Sequence, residues 1–241
     1  MPILLFLAAA IGGALNAVAG GGSFLTLPAL IVAGVSPVAA NATSTLAFWP
    51  ASLSSAFAYR GDIKTSRRWI AALGITSVAG GLAGALLLVR TSDSSFLRLL
   101  PWLMLTAAAT FTFGHRLRRA HWHPGLAAVV VVQFFIATYG GYFGGGIGIM
   151  MLATMALVGM TNIHEMNGLK SFLGVSINAV ALVTFILSGA ITWKYGAMMA
   201  VGATLGGYST AAFARKVDAK YVRTFVIVVG WGMTAYFFIK K

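Results

Sequence analysis

Ala19-Gly20-Gly21-Gly22-Ser23-Phe24-Leu25-Thr26-Leu27-Pro28 sets three consecutive glycines inside an apolar run, and Phe143-Gly144-Gly145-Gly146-Ile147-Gly148-Ile149 does so again at an offset of 124 residues. Glycines in series weaken a helix and open backbone angles closed to other residues. At membrane depth such irregular backbone survives only where it is buried in protein or lines a wet cavity. If a short helix restarts after each triplet, its first N–H groups form an anion site. In the first half these groups belong to Gly21, Gly22 and Ser23, with the Ser23 and Thr26 hydroxyls close by. In the second half they belong to Gly145, Gly146 and Ile147. Small residues also serve close helix packing, but two triplets at matching places favour a binding role. Gly20, Gly21, Gly22, Ser23, Gly144, Gly145 and Gly146 are therefore candidate substrate ligands.

The surroundings make this a membrane protein. Of 241 residues, 59% are hydrophobic and 9% charged, and the mean hydropathy is +0.89. A soluble domain carries about a quarter charged residues. A spanning helix needs about 20 apolar residues, and only helices or closed barrels satisfy their backbone in lipid. Unalternating runs such as Val129–Val132 and Leu182–Leu187 favour helices. The net charge of +13 comes from 17 Lys and Arg against 4 Asp and Glu. These bases cluster between apolar runs, which is the pattern of lipid head-group anchoring and not of nucleic-acid binding. Cysteine is absent, which removes disulfides and thiolate metal sites.

The apolar runs predict spans at 3–20, 41–59, 69–89, 96–113, 125–143, 164–188, 194–213 and 221–239. The stretches 23–35 and 147–160 are apolar but too short to cross. The expected fold is thus all-α and integral to the membrane, with about eight transmembrane helices and glycine-broken or re-entrant segments after each triplet. Counting eight crossings from a cytoplasmic N-terminus puts ten Lys and Arg inside and six outside, a difference too small to set the orientation.

An internal repeat organises the chain. Besides the triplets, Asn41 recurs as Asn167, Thr45 as Ser171 and Gly80-Gly81 as Gly206-Gly207, all at an offset of 126. Gly61-x-Ile63 recurs as Gly189-x-Ile191 at 128. We read residues 1–120 as a first membrane repeat and 121–241 as a second, within one membrane domain. Duplicated halves that hold substrate where they meet are a recurring plan of secondary transporters.

The helices after the triplets carry matched polar stripes. Asn41, Thr45, Ser52, Ser55 and Tyr59, with Phe48 among them, share one face at helical spacing. Asn167, Ser171, Gly174, Asn178 and Ala181 form the counterpart. Amides in a membrane helix need partners, and the stripes are either interhelical glue or a shared wet interface. Lys170 is the one basic residue set inside a span, and a point charge there attracts an oxyanion or snorkels to the interface. His164 and Glu165 form a candidate coupling pair, or a solvated helix start. The candidate binding set therefore also includes Asn41, Ser44, Thr45, Asn167, Lys170, Ser171 and Asn178. Gly80-x-x-x-Gly84 and Gly202-x-x-x-Gly206 are packing motifs. His115, His121 and His123 lie in a basic connection and read as interfacial. No cofactor, metal site or catalytic group is expected.

The run Gly12-Gly13-Ala14-Leu15-Asn16-Ala17-Val18-Ala19-Gly20-Gly21-Gly22-Ser23, followed by Pro28, Ser36-Pro37, Ala40-Asn41-Ala42-Thr43-Ser44 and Gly61-Asp62-Ile63, resembles the TauE/SafE sulfite-exporter family, also called the toluene-sulfonate uptake permeases. The resemblance covers most of the chain. It implies a multi-pass bacterial or archaeal inner-membrane permease for a small sulfur-containing anion such as sulfite or a sulfonate. The chain departs from the family's Gly-Thr-Ser element at Asn167-Gly168-Leu169-Lys170-Ser171, so Lys170 is its own feature. Expected partners are the anionic substrate and the lipid bilayer, with a homodimer as a further expectation and no nucleic acid. A passive anion channel or a membrane-embedded assembly factor is the alternative. A protease built on Ser23 and His164 would need contact between them and an oxyanion hole. No nucleotide-binding loop is present.

Overall fold

The computed structural model describes residues 1–18, 21–58, 60–113, 125–213 and 219–239. Ten α-helices follow one another: α1 (Pro2–Val18), α2 (Ser23–Val32), α3 (Pro37–Ala58), α4 (Arg67–Arg90), α5 (Asp93–Phe113), α6 (Leu126–Tyr142), α7 (Ile147–Leu157), α8 (Ile163–Leu187), α9 (Trp193–Phe213) and α10 (Ala219–Ile239). A 3-10 turn, Arg60–Asp62, lies between α3 and α4. The eight long helices fall on the eight predicted spans. The two short ones, 10 and 11 residues long, fall on the two apolar stretches judged too short to cross. Among the described residues, α4, α5 and α8 are long and apolar enough to cross a membrane on length and composition alone. No helix runs through either triplet, since Gly21–Gly22 and Gly144–Gly146 are non-helical. Gly20, Tyr59, His115, His121 and His123 lie outside the described residues.

Close-packed glycines set the directions of the long helices. A Cβ on Gly202 of α9 would meet the Phe6 carbonyl of α1 at 2.8 Å, and one on Gly206 would overlap the Ala10 carbonyl. Both contacts advance four residues together, so α1 and α9 run parallel. Gly80 and Gly84 of α4 meet Phe134 and Thr138 of α6 in the same way, so α4 and α6 run parallel too. Backbones this close gain dispersion contacts in lipid, where no hydrophobic force drives helices together. The packing reading of both glycine motifs therefore holds.

Hydrogen bonds fix the two ends of the bundle. The Val38 N–H at the start of α3 donates to Asp93 at the start of α5 over 2.9 Å. The Thr192 N–H, just before α9, donates to Thr43 of α3 over 3.0 Å. The starts of α3, α5 and α9 therefore share one face, called here the first. On the second face Thr65, before α4, donates to Glu165 in the first turn of α8 over 2.8 Å. α5 and α10 run antiparallel, with Trp102 on Phe238 at 5.2 Å and Trp231 bonded to Thr112 at 3.1 Å. It follows that α1 starts at the first face and α6 at the second.

The packing partners recur with the halves exchanged. α1 packs on α9 and α4 on α6; α3 packs on α9 and α4 on α8; α3 meets α8, and α5 meets α10. Each short helix packs back on the helix before its triplet and on the one after it. A Cβ on Gly12 would lie 3.1 Å from the Gly22 carbonyl and 3.3 Å from Thr26 Cγ2, so α2 folds back along α1. Each short helix thus reverses the chain once more. The sequence count of eight crossings assigned Arg60 to the side of the N-terminus; the structure places it on the opposite face.

Candidate functional site at the paired glycine breaks

The second triplet turns because its outer glycines adopt left-handed backbone. Gly144 has φ +82° and Gly146 φ +83°, angles that cost an L side chain about 1–2 kcal/mol. Gly146 is the N-cap of α7 and carries no side-chain cap. Its carbonyl accepts from Ile149 and Met150 at 3.1 and 3.3 Å. The first triplet turns differently, with Gly22 in ordinary helical backbone. There Phe24 donates to the Gly21 carbonyl, and Leu25 and Thr26 to that of Gly22, at 3.2, 3.1 and 3.4 Å. The two breaks occupy matching places in the chain but differ in geometry.

The two breaks come together on one aromatic ring. A Cβ on Gly21 would stand 3.3 Å from Cζ of Phe111, and one on Gly146 3.6 Å from its Cε2. Phe24 meets the same ring edge-on, with centroids 5.9 Å apart. Phe48 closes on Gly22, and Phe143 packs on Tyr139 at 5.8 Å. The side chains gathered at the breaks are therefore mostly aromatic. The sequence carries no signal for Phe111: it is one of 16 phenylalanines and lies far from either triplet along the chain.

The predicted side-chain ligands can now be placed. Asn41 is 2% exposed and donates to the Tyr142 carbonyl at the end of α6 over 2.9 Å. An amide of the first half thereby satisfies an orphan carbonyl beside the second triplet. Ser44 and Thr26, both buried, share a 2.6 Å hydrogen bond that ties α3 to α2. Thr45 donates back to the Asn41 carbonyl at 3.1 Å. Ser23, Ser171 and Asn178 are half-buried. Asn178 sits eleven residues beyond Asn167, about 16 Å along α8.

Lys170 stands seven residues, about 10 Å, inside the start of α8. Its Nζ donates to Asn167 Oδ1 over 3.0 Å. Its stem crosses the first turn of α7, where a Cβ on Gly148 would lie 3.4 Å from Lys170 Cδ. At the repeat offset of 126, Lys170 occupies the place of Ser44. The first half ties its short helix down with a hydroxyl pair, and the second lays a lysine across its own.

The candidate coupling pair lies elsewhere. Asn162 caps α8 by accepting from the His164 and Glu165 N–H groups at 3.0 and 3.3 Å. His164 is exposed, and Glu165 is held by Thr65. Both belong to the helix start at the second face. The Asn162-x-x-Glu165 spacing is a capping signal that the sequence reading passed over. Also unforeseen is the buried contact from Gln133 Nε2 to Ser77 Oγ at 2.8 Å, which joins α6 to α4. Asp93, three residues before the predicted span 96–113, opens α5.

A cavity of about 530 Å³ opens at the first face among Ser36, Val38, Thr91, Ser92, Asp93 and Thr192. Tyr142 stands between it and the second triplet. The Tyr142 hydroxyl donates to Thr91 Oγ1 at 3.4 Å, and its carbonyl takes the Asn41 amide. Its ring rests on Phe96 at 5.8 Å.

Comparison with known proteins settles the family. The family model for the sulfite exporter TauE/SafE matches residues 5–237. The chain belongs to the TauE/SafE family. A probable membrane transporter protein, ORF9, of Sinorhizobium sp. is 30% identical over 232 residues, covering 93% of this chain and 87% of that protein. A probable membrane transporter protein of Haemophilus influenzae is 28% identical over 236 residues, with 96% and 92% coverage. The probable membrane transporter protein YfcA of Escherichia coli K12 is 30% identical over 241 residues, with 96% and 87% coverage. No solved structure matches the chain. This TauE/SafE chain is accordingly a multi-pass membrane transporter.

Proposed function

We propose that this protein is a secondary transporter of a small sulfur-containing anion, such as sulfite or a sulfonate, in the inner membrane. The observation that carries the reading is the meeting of the two glycine breaks on Phe111, with Lys170 lying across the first turn of α7. An anion leaving water must regain its lost hydration from fixed dipoles and charges. Each helix N-terminus offers about half a positive charge. Lys170 adds a full one, on the second-half side only. The sulfur-anion class is taken from the family's name and from these positive groups together.

We further propose that residues 1–120 and 121–241 are inverted copies of one unit. The exchanged packing partners support this, and so do the opposite directions of α1 and α6. Alternating exposure then follows from rocking of the units around the breaks, with Tyr142 closing the path toward the first face. Among the described residues, the second face has Arg60, Lys64, Arg67 and Arg68 and the start of α10, where Lys220 and Arg223 stand, and the first face has Arg90, Arg98 and Lys194. Six bases against three orient the second face to the cytoplasm.

The test is uptake into proteoliposomes of radiolabelled sulfite and of a short alkanesulfonate. The expected flux saturates with substrate and responds to a second ion gradient. A preparation that moves cations and no sulfur anion would overturn the reading. A flux indifferent to every other ion gradient would make the protein a channel.

A further inference from the structure

A second binding surface lies on the outside of the bundle, away from the breaks. Between α4 and α8 runs a groove of about 590 Å³ whose floor and walls are Ile70, Gly74, Ile75, Val78, Ala79 and Phe172, with Arg67 at its end. Gly74 leaves room for the Phe172 ring, since a Cβ there would lie 3.3 Å from Phe172 Cε1. Ser176, also at the groove, donates its hydroxyl to the Phe172 carbonyl over 2.9 Å, so its donor is satisfied within its own helix. Ile75 is 72% exposed along the groove, in a region that lipid tails would surround.

The depth of the groove matches one leaflet. From Arg67 to Ala79 is twelve helical residues, about 18 Å, against about 15 Å for half the hydrocarbon core. The charge is at the interface end. Lys64, Arg67 and Arg68 are all exposed there. Among the described residues no carboxylate pairs with Arg67 or Arg68.

The other half, built on the same helix order, lacks both features. At the offset of 126, Arg67 corresponds to Trp193 and Phe172 to Leu46. Leu46 there closes against α9, where a Cβ on Gly196 would meet its Cδ2 at 2.7 Å. One half fills this position with its own side chain; the other leaves it open under a cluster of bases.

We infer that the α4–α8 groove is a site for an anionic glycerophospholipid, with one acyl chain lying over Gly74 and the phosphate held by Arg67 and its basic neighbours. The chain fills an apolar slot that solvent cannot fill well, and the guanidinium offers the fork that suits a phosphate. A zwitterionic lipid offers the same chains but no net charge to the cluster.

Native mass spectrometry of the full-length protein in neutral detergent tests this, using palmitoyl-oleoyl phosphatidylglycerol and palmitoyl-oleoyl phosphatidylcholine as probes. The wild type should retain the glycerol lipid over the choline lipid. Arg67→Gln should lower that retention about fivefold, the value of about one interfacial base. Ala71→Trp fills the groove from an exposed position and should abolish retention, as should Ile75→Trp if the first variant fails to fold. Arg98→Gln on the first face should change nothing. Equal retention of the two lipids, or wild-type retention in both tryptophan variants, would overturn the assignment. So would a loss caused by Arg98→Gln that equals the loss caused by Arg67→Gln.

Discussion

Lys170→Gln separates a charge in the transport path from an anchoring side chain. Glutamine keeps a donor that can reach Asn167, three residues back on the same helix face. Its stem still covers Gly148, so the local packing is largely retained. Only the ammonium is lost. Two unit charges 4–8 Å apart interact by about 4 to 2 kcal/mol at an effective dielectric near 20, which is roughly 800-fold to 30-fold in affinity. Water that accompanies the substrate screens part of this, so a loss of about tenfold or more in anion affinity is expected for a singly charged substrate. A doubly charged one should lose twice the free energy. Lys170→Arg should retain most of the binding. The assay is anion-dependent thermal stabilisation of the purified protein, since a ligand of the folded state raises its melting temperature, paired with proteoliposome flux. Unchanged affinity and flux in Lys170→Gln would refute the argument and leave the lysine as a structural anchor.

Three further outcomes can be measured. Gly146→Ala must hold an L residue at φ +83° with its Cβ 3.1 Å from that of Ala107; a loss of about 1–2 kcal/mol should appear in detergent melts, with transport lost even where the protein folds. Thr26→Val or Ser44→Ala each strands the partner hydroxyl at a cost of about 1–3 kcal/mol, so the double variant should be less destabilised than the two singles added together, and simple additivity would deny the 2.6 Å bond. Reporters fused at the N- and C-termini should both report the non-cytoplasmic side, and a cytoplasmic signal from either would reverse the orientation drawn from the bases.

The helices were legible because their signals are local. Apolar runs bounded by Gly, Pro and charge gave eight long elements and two short ones, with ends displaced by at most four residues. Asn41 and Asn167 were picked out by matched spacing, and Asn41 does reach the second break. Its acceptor, the Tyr142 carbonyl, could not be read, since a backbone atom leaves no mark in residue identity. The pairing of Gln133 with Ser77 was equally hidden, because it joins side chains 56 residues apart on faces that only packing selects. Lys170 stood out as a base inside a span, yet its place over Gly148 required the fold.

Residue order alone established a helical membrane protein with two glycine-broken stretches, because the hydropathy of about 20 neighbouring residues already decides whether a segment leaves water. It also established the family, whose motif lies in consecutive residues. The number of chain reversals was beyond it. A ten-residue apolar helix has the same composition whether it lies in the interface or turns the chain back through the bundle. Contact of Gly22 with Gly12, and of α1 along α9, makes that choice; it carries the α3–α4 and α4–α5 connections to the opposite face, and the second reversal, at α7, returns the start of α9 to the face of the N-terminus. The meeting of both breaks on Phe111 was settled the same way, because it joins three segments far apart in the chain whose approach depends on how whole helices pack.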